Sequence, residues 1–79
     1  MAVKAHLLIE TQAGKAKEVV KAIGGLVGVI SVDAVTGPYD AIATIEGETL
    51  NDIGDLVESR IHSIKGISRT VMCVTVTSS

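Results

Sequence analysis

The spacing of apolar residues changes from strand-like to helix-like in both halves of this 79-residue chain. Residues 3–11 (VKAHLLIET) alternate in part and predict a β-strand. One face of that strand would carry Val3, Ala5, Leu7 and Ile9. From Gly14 onward the apolar residues follow the three-and-four spacing of an amphipathic helix, at Ala16, Val19, Val20, Ile23 and Leu26. Gly24-Gly25 would end this helix.

The middle of the chain predicts a hairpin. Residues 27–37 (VGVISVDAVTG) are rich in β-branched residues, which favour a second strand, and Gly37-Pro38 ends it. Residues 39–47 (YDAIATIEG) predict a third strand close enough to pair with the second.

A second helix and a fourth strand complete the chain. Thr49 begins the helix, with Asp52 three residues later as a weak form of a capping box. Gly66 ends the connection, and residues 67–77 (ISRTVMCVTVT) predict a strand. The inner stripe predicted for the helix consists of Leu50, Ile53, Leu56, Val57, Arg60, Ile61 and Ile64.

The resulting order, β-α-β-β-α-β, predicts an α+β fold of the ferredoxin-like type in a single domain, residues 1–79. Two helices would cover one face of a four-stranded antiparallel sheet and leave the other face open. The fourth strand would place Val71 and Cys73 on one side, and Met72, Val74 and Val76 on the other. Because an exposed apolar sheet face is a liability, we expect a homodimer that stacks two sheets through their open faces, as in dimeric α/β barrels.

Composition supports association and argues against several other classes. A chain this short has a marginal core, and one cysteine cannot form an internal disulfide, while 47% of the residues are hydrophobic. The net charge of −2 and the absence of a basic stripe argue against a stand-alone nucleic-acid binder. No signal peptide or membrane span is recognisable, so we expect a cytoplasmic protein.

The chemistry-bearing side chains do not form an enzyme or metal signature. His6, His62 and Cys73 are too few and too scattered for zinc spacing, and neither histidine has a nucleophile and an orienting group beside it. We expect His62 at a helix C-terminus and Cys73 as a small buried hydrophobe. The acidic residues of the second helix, including Asp52 and Asp55, predict a solvated face. The sequence therefore predicts neither catalysis, nor a cofactor, nor a metal ion.

The turn GPYD (37–40) contains the chain's only proline and only tyrosine, and two interpretations of it stay open. In the first, Asp40 accepts hydrogen bonds from turn amides and Tyr39 covers a hydrophobic edge. In the second, the stiff turn presents both side chains to a small ligand such as a free amino acid. Asp40 would then accept from the ligand's ammonium group, and backbone amides or the hydroxyls of Ser68 and Thr70 would bind its carboxylate.

The same stretches resemble the Lrp/AsnC family of leucine- and asparagine-responsive regulators, also called feast/famine regulatory proteins. GPYD (37–40) matches the family's Gly-x-Tyr-Asp turn, and GISRTVMCVTV (66–76) resembles its closing segment. Residues 13–23 and 29–37 also lie where the family has its first helix and second strand. The resemblance implies the RAM effector domain, whose dimers associate into octamers or related rings and bind amino acids between dimers.

Carried over by residue, the resemblance implies a ligand site that includes Gly37, Tyr39 and Asp40 of the turn and Arg69 and Thr70 of the closing segment. Ser68 lies beside them. Met72 stands where the family has a second threonine, which removes a hydroxyl and favours a more apolar amino acid or none.

Three further expectations follow from the resemblance and from its limits. Because the first strand begins within a few residues of Met1, the family's helix-turn-helix domain is absent from the sequence, and we expect a stand-alone effector module without autonomous DNA binding. Full-length regulators of the family are candidate partners for co-assembly. The alternatives are a small dimeric α/β-barrel enzyme, which needs a pocket containing His6 between helices and sheet, and a purely structural ring-forming subunit.

Overall fold

The computed structural model of the chain describes residues 2–76, and within them the strands and helices appear in the predicted order. Their bounds are β1 Val3–Thr11, α1 Ala16–Gly24, β2 Val29–Ala34, β3 Ala41–Gly47, α2 Leu50–Leu56, a π-helical turn Val57–Ile61 that continues α2, and β4 Ile67–Val74.

The four strands form one antiparallel sheet in the order β2-β3-β1-β4, with both helices packed against it. The predicted α+β, ferredoxin-like fold is therefore confirmed. Leu7 of β1 lies between Ala43 of β3 and Met72 of β4 in the register. Since side chains directly opposite one another share a face of the sheet, this register assigns every strand residue to one of the two faces.

The core lies between the helices and one face of the sheet, called here the helix face. Alternate residues in the middle of β1 and β3 are buried there, as the alternation in residues 3–11 predicts, while Val3 at the start of β1 is only partly buried. With no Phe or Trp in the chain, the core is built from aliphatic side chains and alanine. Its buried members are Ala5, Leu7, Ile9, Val19, Ile23, Ala41, Ala43, Ile45, Ile53, Val57 and Ile61. No helix among residues 2–76 is long and apolar enough to cross a membrane.

The second strand is shorter than the predicted range 27–37, because its hydrogen-bonded part is confined to Val29–Ala34. Gly28 has φ +99°, a conformation that favours glycine, and its carbonyl accepts a hydrogen bond from the amide of Glu46 at 2.9 Å. The chain therefore turns at Gly28 before the strand begins. The strand also bulges at Ile30, which lies opposite no residue of β3.

The other two strand predictions are also longer than the strands themselves. The third strand is predicted over 39–47 and is observed at Ala41–Gly47, because the turn occupies the first two of those residues. The fourth is predicted over 67–77 and is observed at Ile67–Val74. Its last predicted residue, Thr77, lies outside the described residues.

The capping box at the start of α2 is confirmed. Thr49 Oγ1 accepts from the amide of Asp52 at 3.2 Å, and Asp52 Oδ2 accepts from the amide of Thr49 at 3.1 Å. Both side chains are exposed, as are Asp55 and Glu58, which agrees with the predicted solvated face.

The inner stripe of the second helix is only partly as predicted. Ile53, Val57 and Ile61 are buried, whereas Leu50 is 52% exposed and Arg60 is also exposed. The buried residues are four apart, a spacing that drifts around a 3.6-residue helix and that the wider π-helical turn accommodates. Leu50 is the first residue of α2 and lies N-terminal to Ile53, the first buried residue of the helix.

The face opposite the helices, called here the open face, carries His6, Leu8 and Glu10 of β1. Val71 lies opposite Leu8 and Cys73 opposite His6, so both belong to this face, as the predicted split of β4 requires. The expectation that Cys73 is buried is wrong, because the thiol lies on a face that no other part of residues 2–76 covers and is exposed.

Candidate ligand-binding site

The backbone of the GPYD turn, residues 37–40, is held at both ends. The carbonyl of Asp40 accepts from the amide of Val35 at 2.9 Å, and the amide of Asp40 donates to the carbonyl of Ile9 at 2.9 Å. Gly37 has φ +146°, which an L side chain rarely adopts. The turn is therefore a defined structure attached to β1, as the Gly-Pro pair predicts.

The side chain of Asp40 takes part in this attachment. Its Oδ2 accepts a hydrogen bond from the amide of Thr11 at 2.8 Å, across 29 residues of sequence. The first interpretation of the turn expected acceptance from turn amides, whereas the donor here belongs to β1. Oδ1 makes no hydrogen bond within residues 2–76, so one carboxylate oxygen of a half-buried group is available to another partner. Tyr39, beside it, is also half-buried.

The start of β4 distributes its predicted site residues over both faces of the sheet. Arg69 lies opposite Glu10 and so belongs to the open face, whereas Thr70 lies opposite Ile9 and belongs to the helix face. Ser68 has no register partner on β1, because β4 bulges there. Met72, two positions beyond Thr70, also lies on the helix face and is 38% exposed.

The two predicted segments meet at one end of the sheet, on either side of β1. The turn bonds to β1 at Ile9 and Thr11, and β4 pairs with the same two residues from the other side, through Thr70 and Ile67. The structure therefore brings the segments to the same end of the sheet, as the resemblance implies. It does not enclose them in one cavity within a single chain.

The concave surface at this end consists of two shallow grooves of about 590 and 390 Å3, which share His62 and Ile67. The smaller groove is completed by three predicted site residues, Ser68, Arg69 and Thr70. The residues that complete the larger groove are Gln12, Lys15, Glu18, Ser63, Ile64, Lys65 and Gly66. No residue of the GPYD turn lines either groove.

His62 is the residue at this end that the sequence reasoning missed as a site member. It caps the π-helical turn, as predicted for a helix C-terminus, and its amide donates to the carbonyl of Val57 at 2.8 Å. Its Nε2 lies in hydrogen-bond contact with Thr70 Oγ1 at 3.0 Å. The two residues are eight apart in sequence, and no spacing rule joins a helix end to the following strand, so only the fold shows the contact.

The enzyme alternative required His6 in a cavity between helices and sheet. His6 instead belongs to the open face, where its Nδ1 lies 3.3 Å from Thr44 Oγ1. It lines neither groove at the site nor a third groove, which is formed by Leu26, Val27, Asp52, Asp55, Leu56, Ser59 and Arg60. Among residues 2–76 no three His, Cys, Asp or Glu side chains are grouped so that they could hold a metal ion.

The strand order and the helix layer define a ferredoxin-like domain. Within that class the chain belongs to the family of Lrp/AsnC ligand binding domains, which it matches over residues 4–78. This is a regulatory, effector-binding domain of transcription regulators and not an enzyme family.

Individual relatives agree with this assignment. An uncharacterised helix-turn-helix-type transcriptional regulator of Pyrococcus furiosus is 31% identical over 58 residues, a match that spans 73% of this chain and 39% of the relative. The chain thus matches about two fifths of the length of that curated relative.

Solved structures show the same fold. A protein from Thermus thermophilus superposes with a TM-score of 0.92 at 28% identity, covering 98% of this chain and 96% of that one. A transcriptional regulator from Neisseria meningitidis, solved as a complex with L-Met, superposes with a TM-score of 0.84 at 18% identity, covering 95% of this chain and 50% of that one. The second similarity shows a shared fold alone.

Proposed function

We propose that this domain binds a free amino acid, or a small molecule of similar chemistry, between copies of itself and that binding changes or stabilises its assembly. The site would lie at the end of the sheet where the GPYD turn and the start of β4 flank β1. Its candidate residues are Gly37, Tyr39, Asp40, Ser68, Arg69, Thr70 and Met72.

The observation that carries the proposal is the hydrogen bonding of the Asp40 carboxylate. One of its oxygens holds Thr11 in place, which fixes the direction of the group, and the other has no partner within residues 2–76. A preorientated carboxylate with a free oxygen suits an ammonium group, because a charge-assisted hydrogen bond forms without a further loss of side-chain freedom.

A second copy is needed because the β4 half of the site is shallow in a single chain and the GPYD turn lines no groove there. The grooves at this end are open to solvent, whereas small-molecule sites usually bury most of the ligand surface. The open face offers a surface for such a copy, since Leu8, Val71 and Cys73 share this face at neighbouring positions of β1 and β4. A dimer through this face, and rings of dimers beyond it, would bring turns and β4 strands of different copies together. Full-length regulators of the same family are candidate members of such rings.

Met72 supports an apolar preference for the ligand. Its side chain is partly exposed and offers no hydroxyl to a polar substituent. The Neisseria regulator of the same fold was solved with L-Met, which makes apolar amino acids the first to test. The mechanism would be linkage, because a ligand that contacts two copies favours the assembly in which both contact surfaces are present.

Thermal unfolding with a full panel of amino acids tests the proposal. A ligand present at about ten times its Kd would stabilise the domain by about 1.4 kcal/mol and raise the Tm by several degrees. The structure also sharpens the choice of variant. Asp40→Ala would remove the Thr11 bond as well as the charge, whereas Asp40→Asn keeps an acceptor for Thr11 and removes only the charge. The matched control is Asp55→Asn, on the exposed face of α2.

Asp40→Asn should unfold at nearly the wild-type temperature and lose the response, while Asp55→Asn keeps it. A response that survives in Asp40→Asn would exclude Asp40 as the ammonium partner. A panel without any response would favour the purely structural ring-forming subunit, in which the bonds Asp40–Thr11 and Thr70–His62 serve only to hold the sheet end together.

A further inference from the structure

The smaller groove at the β4 end of the site contains a hydrogen bond between side chains from two layers of the fold. His62 lies at the end of the helix layer, and Thr70 belongs to the helix face of β4. The distance from His62 Nε2 to Thr70 Oγ1 is 3.0 Å, and both residues line this groove of about 390 Å3. Within residues 2–76 neither side chain makes another hydrogen bond, so the rest of the hydroxyl's bonding capacity is available to a ligand.

The bond to His62 determines what the Thr70 hydroxyl can offer to that ligand. A threonine hydroxyl has one hydrogen to donate and two lone pairs that accept. If Nε2 carries no hydrogen, it accepts the hydroxyl hydrogen, and Thr70 keeps only lone pairs for a ligand. If Nε2 carries a hydrogen, it donates to Oγ1, and the hydroxyl hydrogen of Thr70 is free. In the second arrangement the groove presents a donor.

The cationic side chains near this pair are directed elsewhere or already have a partner. Arg69 lines the smaller groove but belongs to the open face, opposite Glu10. In the adjoining larger groove Lys15 is paired with Glu18 at 3.6 Å, and Lys65 lines that groove alone. Recognition of a carboxylate on the helix-face side of the smaller groove therefore depends on the hydrogen-bonding pair.

We propose that His62 is a positioning residue of the amino-acid site, which donates from Nε2 to Thr70 Oγ1 and so directs the Thr70 hydroxyl hydrogen to the ligand's α-carboxylate. The inference rests on the proposed function and assigns one end of the ligand to a pair of residues. A carboxylate only accepts hydrogen bonds, so its arrival selects the arrangement in which the groove donates. Ser68, exposed on the same groove, offers a second hydroxyl.

The other end of the ligand is bound by a different copy of the chain. Asp40 lies on the other side of β1 from Thr70 and lines neither groove, so it does not reach the carboxylate end within one chain. Met72 is two positions beyond Thr70 on the same face and is partly exposed, which suits an apolar ligand side chain held beside it. Carboxylate specificity and ammonium specificity are therefore separable by mutation.

Binding of an amino acid and of its own amide tests the inference, because the two ligands differ only in the carboxylate group. L-Methionine and L-methioninamide are titrated by two-dimensional NMR at about pH 6, where both ammonium groups are mostly protonated. If another amino acid gives a larger response in the panel, that amino acid and its amide replace them. The wild type should bind the acid at least about tenfold more tightly than the amide, because the amide loses a charge-assisted hydrogen bond.

Variants of the pair should change this preference in a defined pattern. His62→Ala should reduce it to about twofold or less, whereas His62→Gln, whose side-chain amide can donate to Thr70 Oγ1, should keep most of it. Thr70→Val should cause the same loss as His62→Ala, and the double variant no further loss, because His62 acts through Thr70.

The open face supplies a matched control, since His6 also contacts a threonine there, with Nδ1 3.3 Å from Thr44 Oγ1. His6→Ala should keep the full preference for the acid. The ratio of the two dissociation constants excludes a merely structural role, because damage to the fold weakens both ligands alike.

An unchanged ratio in His62→Ala, or an equal loss in His6→Ala, would overturn the role of His62. A loss in His62→Gln as large as that in His62→Ala would also overturn it, because the donor would then not be the cause. Failure of the proposed function has a different signature, since no amino acid would then bind to the wild type, and both proposals would fall. An amino acid that binds the wild type no better than its amide overturns the role of His62 alone.

Discussion

The two faces of the sheet have opposite environments even along a single strand. Leu7 of β1 is completely buried on the helix face, whereas its neighbour Leu8, on the open face, is only half-buried. Both are leucines in the central part of the sheet, so the strand itself does not explain the difference. The helix face is buried within one chain along β1 and β3, although Met72 and Val74 of β4 stay partly exposed there, while the burial of the open face depends on whatever covers it.

The residues that stabilise the fold are therefore on a different face of the sheet from the residues that are available to a partner. Contacts among aliphatic side chains on the helix face determine the architecture, because they are all made inside residues 2–76. The open face has apolar residues in its middle, such as Leu8 and Val71, and Glu10 lies opposite Arg69 near the end of the sheet. An apolar centre with a charged margin is the usual composition of a protein interface.

The largest expected effect contrasts the two leucines. Leu7→Ala removes side-chain volume from a packed core and should lower the free energy of unfolding by about 2–5 kcal/mol. Leu8→Ala should cost about 1 kcal/mol or less in an isolated chain, because its site is already half open to water. Chemical denaturation measures both changes.

The dependence on protein concentration completes this test. If the open face is covered by a second copy, the cost of Leu8→Ala rises with protein concentration, while that of Leu7→Ala does not. Equal costs for the two variants at all concentrations would contradict the difference between the faces.

The second prediction tests how closely the helix side is packed at its margin. Gly66→Ala would place a Cβ within 3.0 Å of Lys15 Cβ and 3.1 Å of Val19 Cγ2, in a backbone conformation that disfavours alanine. Gly37→Ala meets the same kind of conformation, but with no atom within 4 Å. Thermal unfolding should show a loss of about 2–3 kcal/mol for the former and about 1 kcal/mol for the latter. A larger loss for Gly37→Ala than for Gly66→Ala would show that backbone strain, and not close packing, determines the cost of these substitutions.

The third prediction uses two valines of β4 that are each 36% exposed but lie on opposite faces. Val71 belongs to the open face opposite Leu8, and Val74 to the helix face opposite Ala5. Val71→Glu places a charge in the proposed dimer interface and should weaken self-association at least about tenfold, or ~1.4 kcal/mol. Val74→Glu should leave the assembly intact. Sedimentation or light scattering measures the mass, and dissociation by Val74→Glu alone would place the interface on the helix side.

The smallest effect concerns the thiol of Cys73, which is exposed in a single chain. If the open face is an interface, the thiol reacts more slowly with a labelling reagent in the assembled protein than in monomeric Val71→Glu. The rates should converge when the wild type is diluted below its dissociation constant. A wild-type rate equal to that of a denatured control at high concentration would show that the open face is not covered.

Much of the fold follows from sequence because hydrophobic period and helix caps are local signals. The alternation in β1, the spacing in α1 and the Thr49–Asp52 capping box each depend on residues a few positions apart. The π-helical turn and the bulge at Ile30 cannot be predicted from such local signals, since they adjust the register between elements that are distant in sequence. The prediction that Cys73 is buried is wrong for a related reason, because the sequence of an apolar strand does not show which of its two faces is covered.

The candidate site is less predictable than the fold. The motif identified the turn and the start of β4, but not the bond from Thr11 to Asp40, which spans 29 residues. Nor did it identify His62, which contacts Thr70, or Lys65, which lines the same groove as Lys15. These contacts join loops and element ends that are distant in sequence, and pairwise sequence spacing carries no information about them.

The central claim is that this domain is an assembly that responds to a small effector, and its mass in solution tests that claim most directly. Light scattering coupled to size-exclusion chromatography would be run without ligand and with each amino acid in turn, on the wild type and on Asp40→Asn. We predict a mass of at least a dimer, which at least one amino acid increases or stabilises against dilution in the wild type but not in Asp40→Asn. A monomer at every concentration, with or without each amino acid, would contradict the claim.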